Sequence, residues 1–305
     1  MLRYILLRFL QAISVVLAVS VAVFILMYLS GDPVSTMVPL DARPEHVASI
    51  KAHFGLDQPL HIQYILFVRN ALRGDLGDSF IYRQDSLKLV LERLPATFIL
   101  AVTSMIIVVA VAVPLGVISA SRRGTILDYF ATSISLLSIS TPHFWLGILL
   151  ILVFADRLRW LPPSGKEHVS CLIMPAVTMA ASHIGMITRL VRGCMLEALS
   201  QDYITVARSK GLRERSVTYR HALMNALIPT VTVIGMDLGA YIGGSVIVET
   251  VFAWAGVGWL INEAINARDL PVLRAAVLVM AIIITFINFA VDVSYTYLDP
   301  RVRYE

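Results

Sequence analysis

Hydrophobic positions along this chain gather into six long runs, not into the short alternating or amphipathic blocks of a soluble domain. The runs cover residues 9–30, 94–121, 129–155, 171–189, 227–248 and 275–291. An α-helix rises about 1.5 Å per residue and the hydrocarbon core is about 30 Å thick, so about 20 apolar residues cross it. The pattern predicts six membrane-spanning helices, with both chain ends on one side. Pro114 interrupts the second run, where a membrane helix tolerates it as a kink, and Asp237 is the single acid of the fifth. The first run has 22 uncharged residues, longer than the core of a secretory signal, and reads as a retained helix.

The segments between the runs carry their own pattern. Residues 31–93 place apolar side chains at helical spacing over 45–54 and 60–72, with Gly55, Pro59, Gly74 and Gly77 as breakers. Two or three short helices are predicted there, forming an extracytoplasmic cap. The link over 157–170 holds Pro162, Pro163 and Gly165 and reads as a turn. Residues 190–226 lack such punctuation and read as helix, break, helix. Leu196, Leu199, Tyr203, Val206 and Ala207 recur at steps of three and four, and Gly211 ends the stripe as a C-terminal cap does. Such a segment either rests on lipid headgroups or docks a cytoplasmic partner; periodicity alone does not choose between them.

Composition narrows the classes. The chain is 57% hydrophobic and 15% charged, with a mean hydropathy of +0.76, which excludes a soluble or a largely disordered protein. Thirteen Lys and Arg fall at the chain ends and in the second-to-third and fourth-to-fifth links, against five in the two short links of the other side. Both termini are therefore predicted to be cytoplasmic, and the net charge of +4 reflects this bias and not nucleic-acid binding. Cys171 and Cys194 form neither a disulfide framework nor a metal-binding pair.

Gly165-Lys166 is followed by Glu167 and lacks the glycines of a phosphate-binding loop, so the chain cannot hydrolyse ATP alone. Neither a His-Glu-x-x-His helix nor a Gly-x-Ser-x-Gly elbow occurs. No catalytic and no metal-binding residues are predicted, and His143 and His183 read as packed hydrogen-bonding residues within spans. Gly235, Gly239 and Gly243 recur every four residues, a smooth strip that serves either tight bundle packing or the wall of a pathway. Asp237 and Tyr241 lie beside it. Asp237 is either a cavity acid or a structural hydrogen-bonding group; Asp292 reads as an interfacial acid.

The stretch Asp202-Tyr203-Ile204-Thr205-Val206-Ala207-Arg208-Ser209-Lys210-Gly211-Leu212, followed by His221-Ala222-Leu223 and Asn225-Ala226-Leu227-Ile228-Pro229, resembles the cytoplasmic signature of permease subunits of bacterial ABC importers, in its peptide and nickel form. The general pattern has Glu-Ala-Ala where this chain has Thr205-Val206-Ala207, and Pro229 stands 18 residues after Gly211, further than in sugar permeases. Further matches are Phe54-Gly55-Leu56-Asp57-Gln58-Pro59-Leu60, Gly74-Asp75-Leu76-Gly77-Asp78-Ser79, Glu249-Thr250-Val251-Phe252-Ala253-Trp254-Ala255-Gly256-Val257-Gly258 and Leu298-Asp299-Pro300-Arg301-Val302-Arg303. Several independent short matches in order spread the resemblance over nearly the whole chain.

The resemblance implies an all-α polytopic inner-membrane protein: one six-helix permease domain of the type I ABC importer kind over 1–305, with the cap at 31–93 and a coupling segment at 190–226. It implies that Tyr203, Val206, Ala207, Arg208, Lys210, Gly211, Leu212 and Arg213 meet an ATPase subunit; the pathway reading of the glycine strip, as against bundle packing, places Gly235, Asp237, Gly239, Tyr241 and Gly243 at the interface with a second, homologous permease. The implied partners are that permease, two ATPase subunits holding the ATP and Mg, and an extracytoplasmic substrate-binding protein. The chain itself carries no cofactor. Di- and oligopeptides are the implied cargo, with nickel chelates or glutathione as alternatives; a secondary transporter driven by an ion gradient is the contrasting class.

Overall fold

A computed structural model describes residues 2–29, 58–165 and 168–298. The helix expected over 45–54, the matched residues Phe54 to Asp57, Lys166 with Glu167, and the tail beyond Leu298 lie outside the described residues. Ten helices form among those described: α1 (Leu2–Leu29), α2 (Leu60–Leu72), α3 (Ser86–Ser121), α4 (Ile126–Ser140), α5 (His143–Leu150), α6 (Ile173–Leu199), α7 (Asp202–Ser209), α8 (Glu214–Val251), α9 (Val257–Asn266) and α10 (Leu270–Leu298). α5 runs on as a wider π-turn, Ile151–Arg157, and α8 contains another, Val217–Ala222. The protein is nearly all-helical, as the apolar runs predict.

Five helices are each long and apolar enough to cross a membrane, and α4 with α5 makes a sixth only as a bent pair. The run over 129–155 is thus not one straight span. Its two legs meet at 104° where Thr141 precedes Pro142. The proline ring disfavours the helical region for the residue before it, and here Thr141 is extended, with φ −88 and ψ 118. Pro142 then starts the next helix with a φ already suited to it. Elsewhere the helices outrun the apolar pattern. α6 continues to Leu199 because Val191, Met195 and Ala198 keep one face buried after its other faces turn polar.

The chain divides into two compact units, residues 1–97 with 255–305, and residues 98–254. In the first, α1 packs along α10 and α9 against α10. Phe24 stacks on Phe67 and meets Tyr64 edge-on, and the Tyr64 hydroxyl lies 2.8 Å from Ser20 Oγ. The turn before α3 is tied to α10's start: Asp269, fully buried, accepts hydrogen bonds from Ser79 Oγ and the Phe80 and Ile81 N–H groups. Arg274 donates to the Leu76 carbonyl and lies over the Phe67 ring.

In the second unit α6 is the common partner of α4, α5 and α8. Gly185 lets α6 and α4 approach closely, since a Cβ there would stand 2.3 Å from the Ser135 carbonyl oxygen. Next to the α3–α4 turn, Asp128 is covered by four donors: Arg192 Nε at 2.8 Å and Nη2 at 2.9 Å, the Ser119 hydroxyl, and the Gly124 N–H at 2.9 Å.

Candidate functional site

The segment between α6 and α8 is a built corner. α6 stops at Ser200, and the chain restarts at Asp202, so the apolar positions from Leu196 to Ala207 do not form one continuous stripe. In α7 the buried pair is Ile204 and Ala207, and the helix packs against the π-turn of α8. Tyr203 and Val206, expected on the inward stripe, are instead 39% and 52% exposed. The end of α7 is closed by two bonds, Leu212 N–H to the Ala207 carbonyl and Gly211 N–H to the Arg208 carbonyl. This is a Schellman cap, and it requires Gly211 in the left-handed region, where its φ is +75.

Arg208 grips Glu214 with two nitrogens at 3.2 and 2.7 Å, and Asn225 Nδ2 donates to the Tyr203 hydroxyl at 3.1 Å. These bonds hold a rigid eight-residue helix against the foot of α8. Its outer surface presents Tyr203, Val206, Arg208, Lys210, Leu212 and Arg213, all exposed. Apolar side chains rimmed by cations form a surface suited to a partner's groove.

A second group of residues lies deep in the spans of the 98–254 unit. Asp237 and Tyr241 stand one turn apart on α8, and the Tyr241 ring lies 4.0 Å from the ring of His183 on α6, tilted by 42°. Asp237 interacts electrostatically with His183. Ser182 Oγ is 3.2 Å from His183 Nδ1 and 3.3 Å from Nε2 of His143, whose Nδ1 lies 3.3 Å from the Thr178 carbonyl. Asp237 Oδ2 and the Tyr241 hydroxyl are buried without a hydrogen-bond partner. Gly239 is buried on the same helix, Gly235 half-buried and Gly243 exposed. Among the described residues no three His, Cys, Asp or Glu side chains stand together so as to hold a metal ion.

The family of binding-protein-dependent transport system inner membrane components matches residues 112–304, and its N-terminal companion matches residues 1–101. The chain belongs to this family. A putative peptide transport system permease protein of Brucella abortus is 41% identical over 307 residues, spanning 98% of each chain. The dipeptide transport system permease protein DppB of Alkalihalophilus pseudofirmus is 34% identical over the whole of both. A solved chain of the MetNI methionine ABC transporter, in inward-facing conformations, shares the fold with a TM-score of 0.58 at 21% identity, covering 69% of this chain and 96% of that one.

In this inner membrane component the residues singled out from sequence fall into two separate groups. Tyr203, Val206, Ala207, Arg208, Lys210, Gly211, Leu212 and Arg213 cluster at the α7 corner, and Gly235, Asp237, Gly239, Tyr241 and Gly243 lie along α8. Sequence reasoning missed Ile204, which is the anchor of α7, although it sits three residues before Ala207 on the same helical face. It also missed the grouping of His143, Ser182 and His183 with Asp237. That grouping depends on which helices are neighbours, and periodicity within one helix carries no record of it.

Proposed function

We propose that this chain is one permease subunit of an ATP-driven, binding-protein-dependent importer that moves di- and oligopeptides across the cytoplasmic membrane by alternating access. The observation that carries the reading is the end-to-end likeness to relatives named as peptide and dipeptide permeases. The α7 corner supports it from physical chemistry. A short capped helix with Ile204 and Ala207 anchored to α8 and an exposed face of Tyr203, Val206 and Leu212 is a handle that moves with whatever grips it. ATPase subunits supply that grip and the hydrolysis, because this chain has no phosphate-binding loop of its own.

In this reading a second homologous permease packs on the exposed part of the α8 glycine strip, a binding protein delivers cargo to the face that includes residues 31–93, and both termini face the cytoplasm. The test is purification of the chain with its co-expressed partners, followed by uptake of a labelled dipeptide into liposomes. An associated ATPase stimulated by dipeptide-loaded binding protein is the expected result. Uptake that proceeds without nucleotide and follows an ion gradient would overturn the proposal.

A further inference from the structure

The polar group on α5, α6 and α8 has a definite hydrogen-bond sense. The Thr178 carbonyl can only accept, so His143 donates from Nδ1 and, when neutral, accepts at Nε2 from the Ser182 hydroxyl. Ser182 has then spent its proton, and His183, whose ring also bonds the Met179 carbonyl one turn back, donates to it from Nδ1. What this chain of bonds leaves over is an excess of acceptors, His183 Nε2, Asp237 Oδ2 and the oxygen of Tyr241, against a single donor, the Tyr241 O–H. The Tyr241 side chain is 1% exposed and its hydroxyl has no partner, nor has Asp237 Oδ2. Leaving such groups unsatisfied in a low-dielectric interior is costly, and a carboxylate costs most.

The unit holds no fixed cation to answer that carboxylate at this depth. Residues 98–121, 126–140, 143–156, 173–188 and 221–251 contain no Lys or Arg. Farther along α6, Arg192 is already bonded to Asp128. Three acceptors, one of them an acid, with the His183 and Tyr241 rings 4.0 Å apart, match the three N–H donors and single charge of a primary ammonium group.

We propose that His183, Asp237 and Tyr241 form a subsite that receives the ammonium group of the solute in transit, with Ser182 and His143 as positioning residues that fix the His183 tautomer. This rests on the reading of the chain as a peptide permease, since a peptide with a free amino terminus presents that group. Binding there gives the charged end of the cargo three hydrogen bonds at the depth where water is scarce, and it neutralises the acid for the same interval.

The complete importer, reconstituted with its binding protein and ATPase subunits, tests the subsite with trialanine as the probe. Asp237→Asn keeps the size and polarity of the side chain but not the charge. Its uptake rate should fall by about tenfold or more, as expected for loss of a charged hydrogen-bond acceptor. ATPase stimulation should hold within about twofold, and Asp237→Glu should recover most of the uptake, since the docking surface and the charge are respectively untouched.

If Asp237 instead keeps a proton of its own, Asn serves equally well, and wild-type uptake in Asp237→Asn overturns the subsite. Equal loss in the Asn and Glu variants marks a size-sensitive packing role and overturns it too. Tyr241→Phe retains the ring against His183 and covers the case in which Asp237→Asn fails to assemble; unchanged uptake in that variant also rejects the three-acceptor site. An unaltered complex that assembles and hydrolyses ATP but imports no peptide strikes instead at the peptide reading, and this inference falls with it.

Discussion

Arg192 and Asp128 join the α3–α4 corner to α6, and removing either should expose how unequal the two are. Asp128 is 4% exposed and takes hydrogen bonds from Arg192, Ser119 and Gly124. Arg192→Ala strips two of those four bonds and leaves a covered carboxylate without its counter-charge. Breaking such a pair costs roughly 3–5 kcal/mol, and about 3 applies here because Ser119 and Gly124 still donate. Asp128→Ala leaves a guanidinium whose side chain is 28% exposed and can turn to water, so its cost is about 1–2 kcal/mol. The double variant loses both partners and strands no charge. It should fall no further than Arg192→Ala alone, which gives a coupling of about 1–2 kcal/mol in a double-mutant cycle. Equilibrium unfolding of the purified protein in mixed micelles, followed by tryptophan fluorescence, measures all four corners of the cycle. Single effects that add within about 0.5 kcal/mol, or an Arg192→Ala cost smaller than that of Asp128→Ala, would refute the reasoning.

Three further predictions concern other parts of the chain. Gly185→Ala places a Cβ 2.3 Å from a carbonyl oxygen, so α6 must move off α4 at a cost of about 1–3 kcal/mol, while Gly193→Ala, with nothing within 4 Å, leaves the unfolding midpoint at or above that of the unaltered chain. Gly211→Val meets no neighbour within 4 Å but must hold a φ near +75, so it strains the α7 cap by about 1–2 kcal/mol; reconstituted complexes should assemble and hydrolyse ATP with uptake much reduced, and full uptake would remove α7 from the coupling role. Burial, reinforced by its hydrogen bond to Glu263, holds the Tyr82 hydroxyl above the ordinary tyrosine value of 10.0. The folded state keeps that proton longer than the unfolded chain. The resulting stability is present below pH 10, the unfolded value, and is lost as pH rises beyond it through the raised folded value; Tyr82→Phe should flatten that part of the alkaline unfolding curve.

The apolar runs were legible because crossing a bilayer needs only length and hydropathy, both one-dimensional quantities. The bend at Thr141-Pro142 left only a weak trace in the sequence: a residue before proline is biased against helix, yet Val113 and Ile228 stay helical before Pro114 and Pro229, and the run around Thr141 is apolar enough to read as one span. Hydropathy and backbone geometry gave opposite answers there, and geometry prevailed. At α7 the periodicity was read through a break: Ser200 and Gln201 shift the helical phase, so Tyr203 and Val206 turn outward and Ile204 turns inward. Gly211 was legible on its own because its conformation is a local matter. The pairing of Asp128 with Arg192, and of His183 with Asp237, was not, since partners 64 and 54 residues apart are brought together by helix packing alone.

The position of α7 decides what it can move. It packs against the π-turn Val217–Ala222, which belongs to the same 38-residue helix that carries Asp237 and Tyr241. From Ala222 to Asp237 the helix rises about 22 Å at 1.5 Å per residue, so a displacement at its foot reaches the polar group with no intervening loop. Pro229 is the single place along α8 that lacks an N–H for the preceding turn, and it lies between the two. α6 runs beside it and contributes His183, while its close contact with α4 at Gly185 leaves no room for sliding. In the proposed coupling role, a pull on α7 changes the spacing between α8 and α6 more readily than that between α6 and α4. The spacing that changes is the one spanned by His183 and Tyr241, which makes the acceptor group the element of this unit most exposed to what happens at the corner.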